Sequence, residues 1–170
     1  MTLPDASHTS TVLALTTGGT LDKIYTAQGQ LEVGEPCLPA ILREAHACVD
    51  LLAVEVLRKD SLDLDADDQR MIQQQVRQAP QRHVLVTHGT DTMVETALLL
   101  RDLCLDKTIV LTGAIQPHSM RCSDAAFNIG FALGALPLLP SGVYIAMNGQ
   151  VFAADRVSKD RTLGRFVPLE

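Results

Sequence analysis

The chain has 170 residues, 46% of them hydrophobic and only 4% aromatic, which is enough for one domain built around an aliphatic core. Its formal net charge of −6 excludes the concentrated basic face that a phosphate-backbone binder needs, so no nucleic acid is expected as a partner.

In chain order, the opening MTLPDASHTSTV has neither the basic start nor the long apolar run of a secretory signal. A first apolar run, TVLALTT (11–17), is followed by LLAVEVL (51–57), HVLVTH (83–88), KTIVLTG (107–113) and VYIAM (143–147). These runs are short, rich in Val, Ile and Leu, and lack clean alternation, the pattern of strands buried on both faces. Helical spacing occupies the intervals at 39–49, 65–79, 91–105 and 122–136. The second of these is introduced by Asp65, a good N-cap, with acids crowding its first turn. After Pro140 the chain reads as a strand, a tight turn at NGQ (148–150) and a short strand VFAA. The alternation predicts an α/β fold: one doubly wound, Rossmann-like parallel sheet with helices on both faces, as a single domain over 1–170. No apolar stretch is long enough to cross a bilayer, so no membrane is expected. The four cysteines, Cys37, Cys48, Cys104 and Cys122, form no CxxC pair. No metal site or cofactor motif is therefore expected, and the chain reads as reduced and cytoplasmic.

Ligands of doubly wound sheets sit beyond the carboxyl ends of the strands. The first strand ends in TTGGT (16–20), the second leads to Asp60, Ser61 and Asp63, the third ends in THGTDT (87–92), and the fourth in TGAIQPHS (112–119). The closing segment brings DRVSKDRT (155–162). Small hydroxyls, glycines, carboxylates and a lysine thus collect on one rim. Gly18-Gly19 fits neither a dinucleotide fingerprint nor a P-loop, and a plain tight turn explains it equally well. Thr90 or Asp91 could simply cap the next helix. His88 reads more readily as structural than catalytic, and Lys159 as an exposed loop lysine. A hydroxyl nucleophile needs a neighbouring base, however, and a Thr–Lys–Asp set supplies one if the fold unites residues 90, 91 and 159.

TGGT (17–20) after one apolar strand, with HGTDTMVETA (88–97) after a later one, resembles the two signature motifs of bacterial-type L-asparaginases. DSLDL (60–64), VLTGAIQPHSMRCSDAAFN (110–128) and DRVSKDRT (155–162) extend the resemblance across the N-terminal catalytic domain of that family. It implies hydrolysis of the side-chain amide of L-asparagine through an acyl-enzyme. Thr20 matches the nucleophile, Tyr25 the tyrosine of the mobile lid, and Thr90, Asp91 and Lys159 the second catalytic set. Substrate contacts are implied at Gly19, Ser61, Leu62, Gly89, Thr90, Asp91 and Ala114. Backbone N–H groups near Gly19 and Gly89-Thr90 are implied to face the oxyanion. Ser61 and Asp91 are implied to grip the substrate's α-carboxylate and α-amino groups.

The chain departs from the family in three ways. Leu62 stands where many members have a substrate-binding Gln. Asp22 and Lys23 replace small residues after the first motif. The 170 residues are expected to hold the N-terminal domain alone, without the usual second, smaller C-terminal domain that lends an acidic residue to a neighbouring site. An open site with weak affinity for asparagine is expected, as is a homo-oligomer. The alternatives are an amidase acting on glutamine or another amide, and a non-catalytic amino-acid-binding domain or a fragment of a two-domain enzyme.

Overall fold

The computed structural model describes residues 11–169. The leading segment read above for a secretory signal lies mostly outside the described residues. Six strands form the main sheet: β1 (Val12–Gly18), β4 (Leu51–Lys59), β5 (His83–Thr87), β6 (Thr108–Thr112), β7 (Gly142–Met147) and β8 (Gln150–Ala153). Their order is β4-β1-β5-β6-β7-β8. Every pair is parallel except β7 with β8, a hairpin closed by Asn148 and Gly149, both at positive φ (55° and 74°).

Each central strand is buried on both faces, so its alternate residues feed two separate cores. Leu13, Leu15, Val84, Val86, Ile109 and Leu111 pack beneath helices α2 (Ala66–Gln78) and α3 (Met93–Arg101). Val12, Ala14, Leu85 and Val110 pack on the opposite side beneath α1 (Leu38–Glu44) and α4 (Ala125–Ala135). Helices on both faces of a mainly parallel sheet make the doubly wound α/β fold that the strand–helix alternation predicts.

Local chemistry sets most boundaries. At the start of α2, the Asp65 carboxylate accepts from the Asp68 N–H at 2.9 Å, and the Asp68 carboxylate accepts from the Asp65 N–H at 3.1 Å. This reciprocal capping box leaves little freedom over where the helix begins. Two helices are shorter than their spacing predicts. The 39–49 pattern ends at Glu44, because His46 takes a left-handed φ of 48° and reverses the chain. The 91–105 pattern begins only at Met93 and ends at Arg101, with Cys104 again left-handed at φ 49°.

Two small hairpins were not legible as strands. β2 (Lys23–Tyr25) pairs antiparallel with β3 (Leu31–Val33), and β9 (Val157–Asp160) with β10 (Arg165–Pro168). Among the described residues, no helix is long and apolar enough to cross a membrane.

Candidate active site

The chain winds outward from β1 to β4, then returns across β1 to β5. That reversal leaves a crevice beyond the carboxyl ends of β1 and β5. Thr20 enters it from β1, on a single 3₁₀ turn (Thr20–Asp22). Thr90 and Asp91 enter it from β5, just before α3.

Lys159 reaches the same crevice on β9. Its Nζ donates to Thr90 Oγ1 at 2.7 Å and to Asp91 Oδ1 at 2.9 Å. Its side chain is only 15% exposed, which corrects the exposed-loop reading of this lysine. The correction has a structural cause. Lys159 pairs across β9–β10 with Phe166, which is buried in the core beneath α2 and α3. The Phe166 N–H donates to Asn148 Oδ1 at 3.1 Å, tying the hairpin to the β7–β8 turn. Arg161 opens the turn that follows β9, two residues beyond Lys159. Its Nη1 donates to Asp91 Oδ1 at 2.7 Å. Thr20, Thr90, Asp91, Lys159 and Arg161, with Ile115 and Gly164, line one open pocket of about 300 Å³. Thr90 and Asp91 therefore do not cap α3. The N-cap position belongs to Thr92, whose hydroxyl instead donates to the Ser61 carbonyl at 2.9 Å.

Two glycines let the strand ends approach closely. Gly19 lies at φ 82°, and a Cβ there would fall inside contact distance of the Gly89 backbone. A Cβ on Gly89 would meet Ser61 Oγ at 2.5 Å. A side chain at Gly19 would push the β1 and β5 ends apart, and one at Gly89 would push Ser61 away from the β5 end. The Gly19 N–H donates to the Lys59 carbonyl at 2.9 Å, so it is spent on the sheet and does not face an oxyanion. Among the described residues, the N–H groups of Gly89 and Thr90 have no such acceptor.

His88 lies directly beneath. It is fully buried, with Nδ1 2.7 Å from the Gly89 carbonyl and Nε2 2.9 Å from Thr96 Oγ1. A carbonyl can only accept, so Nδ1 carries the proton and Nε2 accepts from Thr96. Gln69 Nε2 in turn donates to the Thr96 hydroxyl at 2.9 Å. Burial pushes the imidazole pKa down to about 4, keeping it neutral. His88 supports the β5 end rather than reaching the pocket, as its strand-end position suggested. Beside the pocket, the Asp124 carboxylate accepts from the Ile115 and Gln116 N–H groups at 3.0 and 2.9 Å. Those bonds hold the loop after β6.

The asparaginase N-terminal family model matches residues 11–165. The chain belongs to the asparaginase family. It is 31% identical over 161 residues to the L-asparaginase of Thermococcus kodakarensis, covering 90% of this chain and 48% of that protein. It is 35% identical over 94 residues to a glutaminase-asparaginase of Acinetobacter glutaminasificans, covering 53% and 28% of the two chains. Two solved structures share the fold. The thermostable L-asparaginase from T. kodakarensis superposes with a TM-score of 0.80 at 27% identity, covering 94% of this chain and 51% of that one. L-asparaginase I of Vibrio cholerae gives 0.82 at 22% identity, covering 95% and 52%. The chain thus spans about half the length of these relatives or less.

This asparaginase domain does not bring every expected residue to the pocket. Thr20, Thr90, Asp91 and Lys159 line it together. Ser61 is buried against Gly89. Ala114 is fully buried, and its neighbour Ile115 lines the wall instead. Tyr25 is 64% exposed on β2, and Leu62 is 65% exposed. Neither lines the pocket that holds the threonines; Leu62 borders a separate groove of about 480 Å³ with Lys23, Arg58 and Asp60.

The two departures after the first motif have visible consequences. Asp22 is buried, its Oδ1 accepting from the Cys37 N–H at 2.8 Å, and burial raises its pKa. Lys23 Nζ pairs with Asp60 at 2.5 Å, and the Lys23 carbonyl accepts from Ser119 Oγ at 2.8 Å. Burial pushes the Asp60 carboxyl up, but the bonds from Lys23 and the Leu62 N–H outweigh it and leave the pKa lowered. The root of the β2–β3 hairpin is therefore anchored, while Tyr25 at its far end is free. Arg161, Ile115 and Gly164 were not singled out in the sequence. Only the second cation of SKDR, two residues past Lys159, signalled Arg161.

Proposed function

We propose that this domain is an amidohydrolase that hydrolyses the side-chain amide of L-asparagine to aspartate and ammonia. The Thr20 hydroxyl attacks the amide carbon, and the C–N bond breaks as the nitrogen takes up a proton and leaves as ammonia. Water then attacks the Thr20 ester, releases aspartate and restores the hydroxyl. The N–H groups of Gly89 and Thr90 face the oxygen that becomes negative, where fixed donors lower the barrier most. Lys159, oriented by Asp91, passes protons through the Thr90 hydroxyl. Tyr25 on the β2–β3 hairpin closes over the bound substrate. No cofactor or metal takes part, and the reaction is placed in the cytoplasm, in a homo-oligomer.

The observation that carries this reading is the Lys159 Nζ, shared between Thr90 Oγ1 and Asp91 Oδ1 on the pocket that Thr20 also lines. A binding site alone has no use for two threonine hydroxyls and a lysine so arranged. A second assignment of the nucleophile is favoured by one specific distance: the hydroxyl bonded to Lys159 at 2.7 Å is that of Thr90. Thr90 would then attack first.

Ammonia release from asparagine, glutamine and simple amides, by the protein and by Thr20→Ala, tests the proposal. Equal rates for the two proteins remove Thr20 from the mechanism. Mass spectrometry of an acid-quenched reaction locates the acyl group on Thr20 or on Thr90. Binding of asparagine with no release from any amide would leave a binding module.

A further inference from the structure

Arg161 is the cation in the pocket that the proposed chemistry does not use. Its guanidinium is bonded to Asp91 through Nη1, and among the described residues Nε and Nη2 have no partner, so they can take a carboxylate in a two-point grip. The side chain is 67% exposed, so it can turn toward a ligand without losing a buried partner. The titratable side chains that line the pocket are Asp91, Lys159 and Arg161. Two positive charges therefore face a single carboxylate, and both are already bonded to its Oδ1. A substrate carboxylate arriving here completes the charge balance. A substrate ammonium arrives as a third cation around one negative charge. Leu62, where the resemblance places a substrate-binding Gln, is exposed and outside the pocket.

The geometry points to Arg161 as the specificity residue, selecting short amides that carry a carboxylate whether or not they carry an α-ammonium. The substrate class is the half-amides of small dicarboxylic acids, of which asparagine is the aminated member. This inference rests on the amidohydrolase reading for turnover but not for binding.

The probes are L-asparagine, succinamate (the same skeleton without the ammonium) and 3-aminopropanamide (the ammonium without the carboxylate). Calorimetric titration of each into the full chain is the primary measurement, and ammonia release the second. Succinamate is expected to bind within about threefold of asparagine, and 3-aminopropanamide at least about tenfold more weakly, a charge-assisted hydrogen-bonding difference. Arg161→Gln is expected to weaken succinamate by about tenfold, raising KM with little change in kcat, and Arg161→Lys to restore part of the loss. Asparagine binding without succinamate binding overturns the inference. So does an Arg161→Gln variant that leaves the ratio of succinamate to 3-aminopropanamide unchanged, and so does failure to bind any of the three probes. Binding in the expected order with no ammonia released overturns the amidohydrolase reading and leaves the selectivity in place.

Discussion

The two strand ends that face each other across the pocket are held in place by different balances of side chain and backbone. The β5 end is held by side chains: Thr90 and Asp91 are bonded to Lys159, Thr92 to the Ser61 carbonyl, and His88 to Thr96 below. The β1 end is held chiefly by backbone: Gly19 donates to the Lys59 carbonyl and nests against Gly89, with one side-chain bond from the Thr17 hydroxyl to the Thr87 carbonyl, and the chain then leaves in an exposed hairpin. Bonds that cross nearly seventy residues lock the Thr90 side and resist deformation. The Thr20 side depends on the absence of a side chain at Gly19 and runs into a hairpin whose far end is exposed. That asymmetry suits a site with a fixed proton-handling half and a half that closes on a ligand.

The largest effect is expected from removing the fixed half's cation. Lys159→Met should lower ammonia release from asparagine by about 10²- to 10⁴-fold, the usual contribution of a positioned proton-transfer group. The fold should lose only about 1 kcal/mol, since Arg161 still pairs with Asp91. Steady-state kinetics with urea unfolding separates the two. Comparable activity in the variant would mean that the β5 end is bonded for stability alone. Next comes the backbone half. Gly19→Ala forces a Cβ into the Gly89 backbone at a φ of 82°, and should cost about 3 kcal/mol or more. The urea midpoint measures this, and an unchanged midpoint would mean that the two strand ends separate freely.

Much of this was readable in the chain and some was not, for physical reasons. Strands β1, β5, β6 and β7 were legible because burial on both faces demands continuous apolar runs, and α2 because Asp65 and Asp68 cap it locally. The shortened helices were misread because His46 and Cys104 adopt left-handed conformations that their residue types do not announce. Lys159 resembled a loop lysine because its neighbours in sequence are polar. Its true partners, Thr90 and Asp91, are nearly seventy residues away. Only a strand pairing that buries Phe166 turns it inward. Motif resemblance supplied the residues of the site, but not which of them converge. Tyr25 and Leu62 stand outside the pocket, and Arg161 lies in the turn after a strand that was itself not predicted.

The fixed half also carries a pH signature. The folded pKa of His88 is pushed down to about 4 from an ordinary 6.5. Between those values the unfolded chain binds the proton and the folded chain does not, so acid favours unfolding. The His88 contribution is complete above about pH 6.5 and is lost as pH falls toward 4. About 2 kcal/mol should be gone at about pH 5. The buried Asp22, with its raised pKa, works in the opposite direction, so the comparison must be made against His88→Gln. Urea unfolding at about pH 7 and pH 5 should show a steeper loss in the parent than in the variant. Parallel curves would place the imidazole in contact with water and contradict the full burial of His88.

The smallest effect is expected at the free end of the other half. Tyr25 is largely exposed on β2, while the root of its hairpin is held by Lys23–Asp60 and Ser119. Nothing in the open site depends on its hydroxyl, so Tyr25→Phe should change unfolding free energy by less than about 0.5 kcal/mol. If the hairpin closes over substrate, the same hydroxyl joins the site only in the bound state. Then kcat should fall by about tenfold, the loss of one hydrogen bond to a developing charge. KM should change less, because the interaction is made late. A tenfold loss in kcat at constant stability would assign closure to the glycine-held half. No loss in either quantity would leave Tyr25 a surface residue and the pocket open throughout turnover.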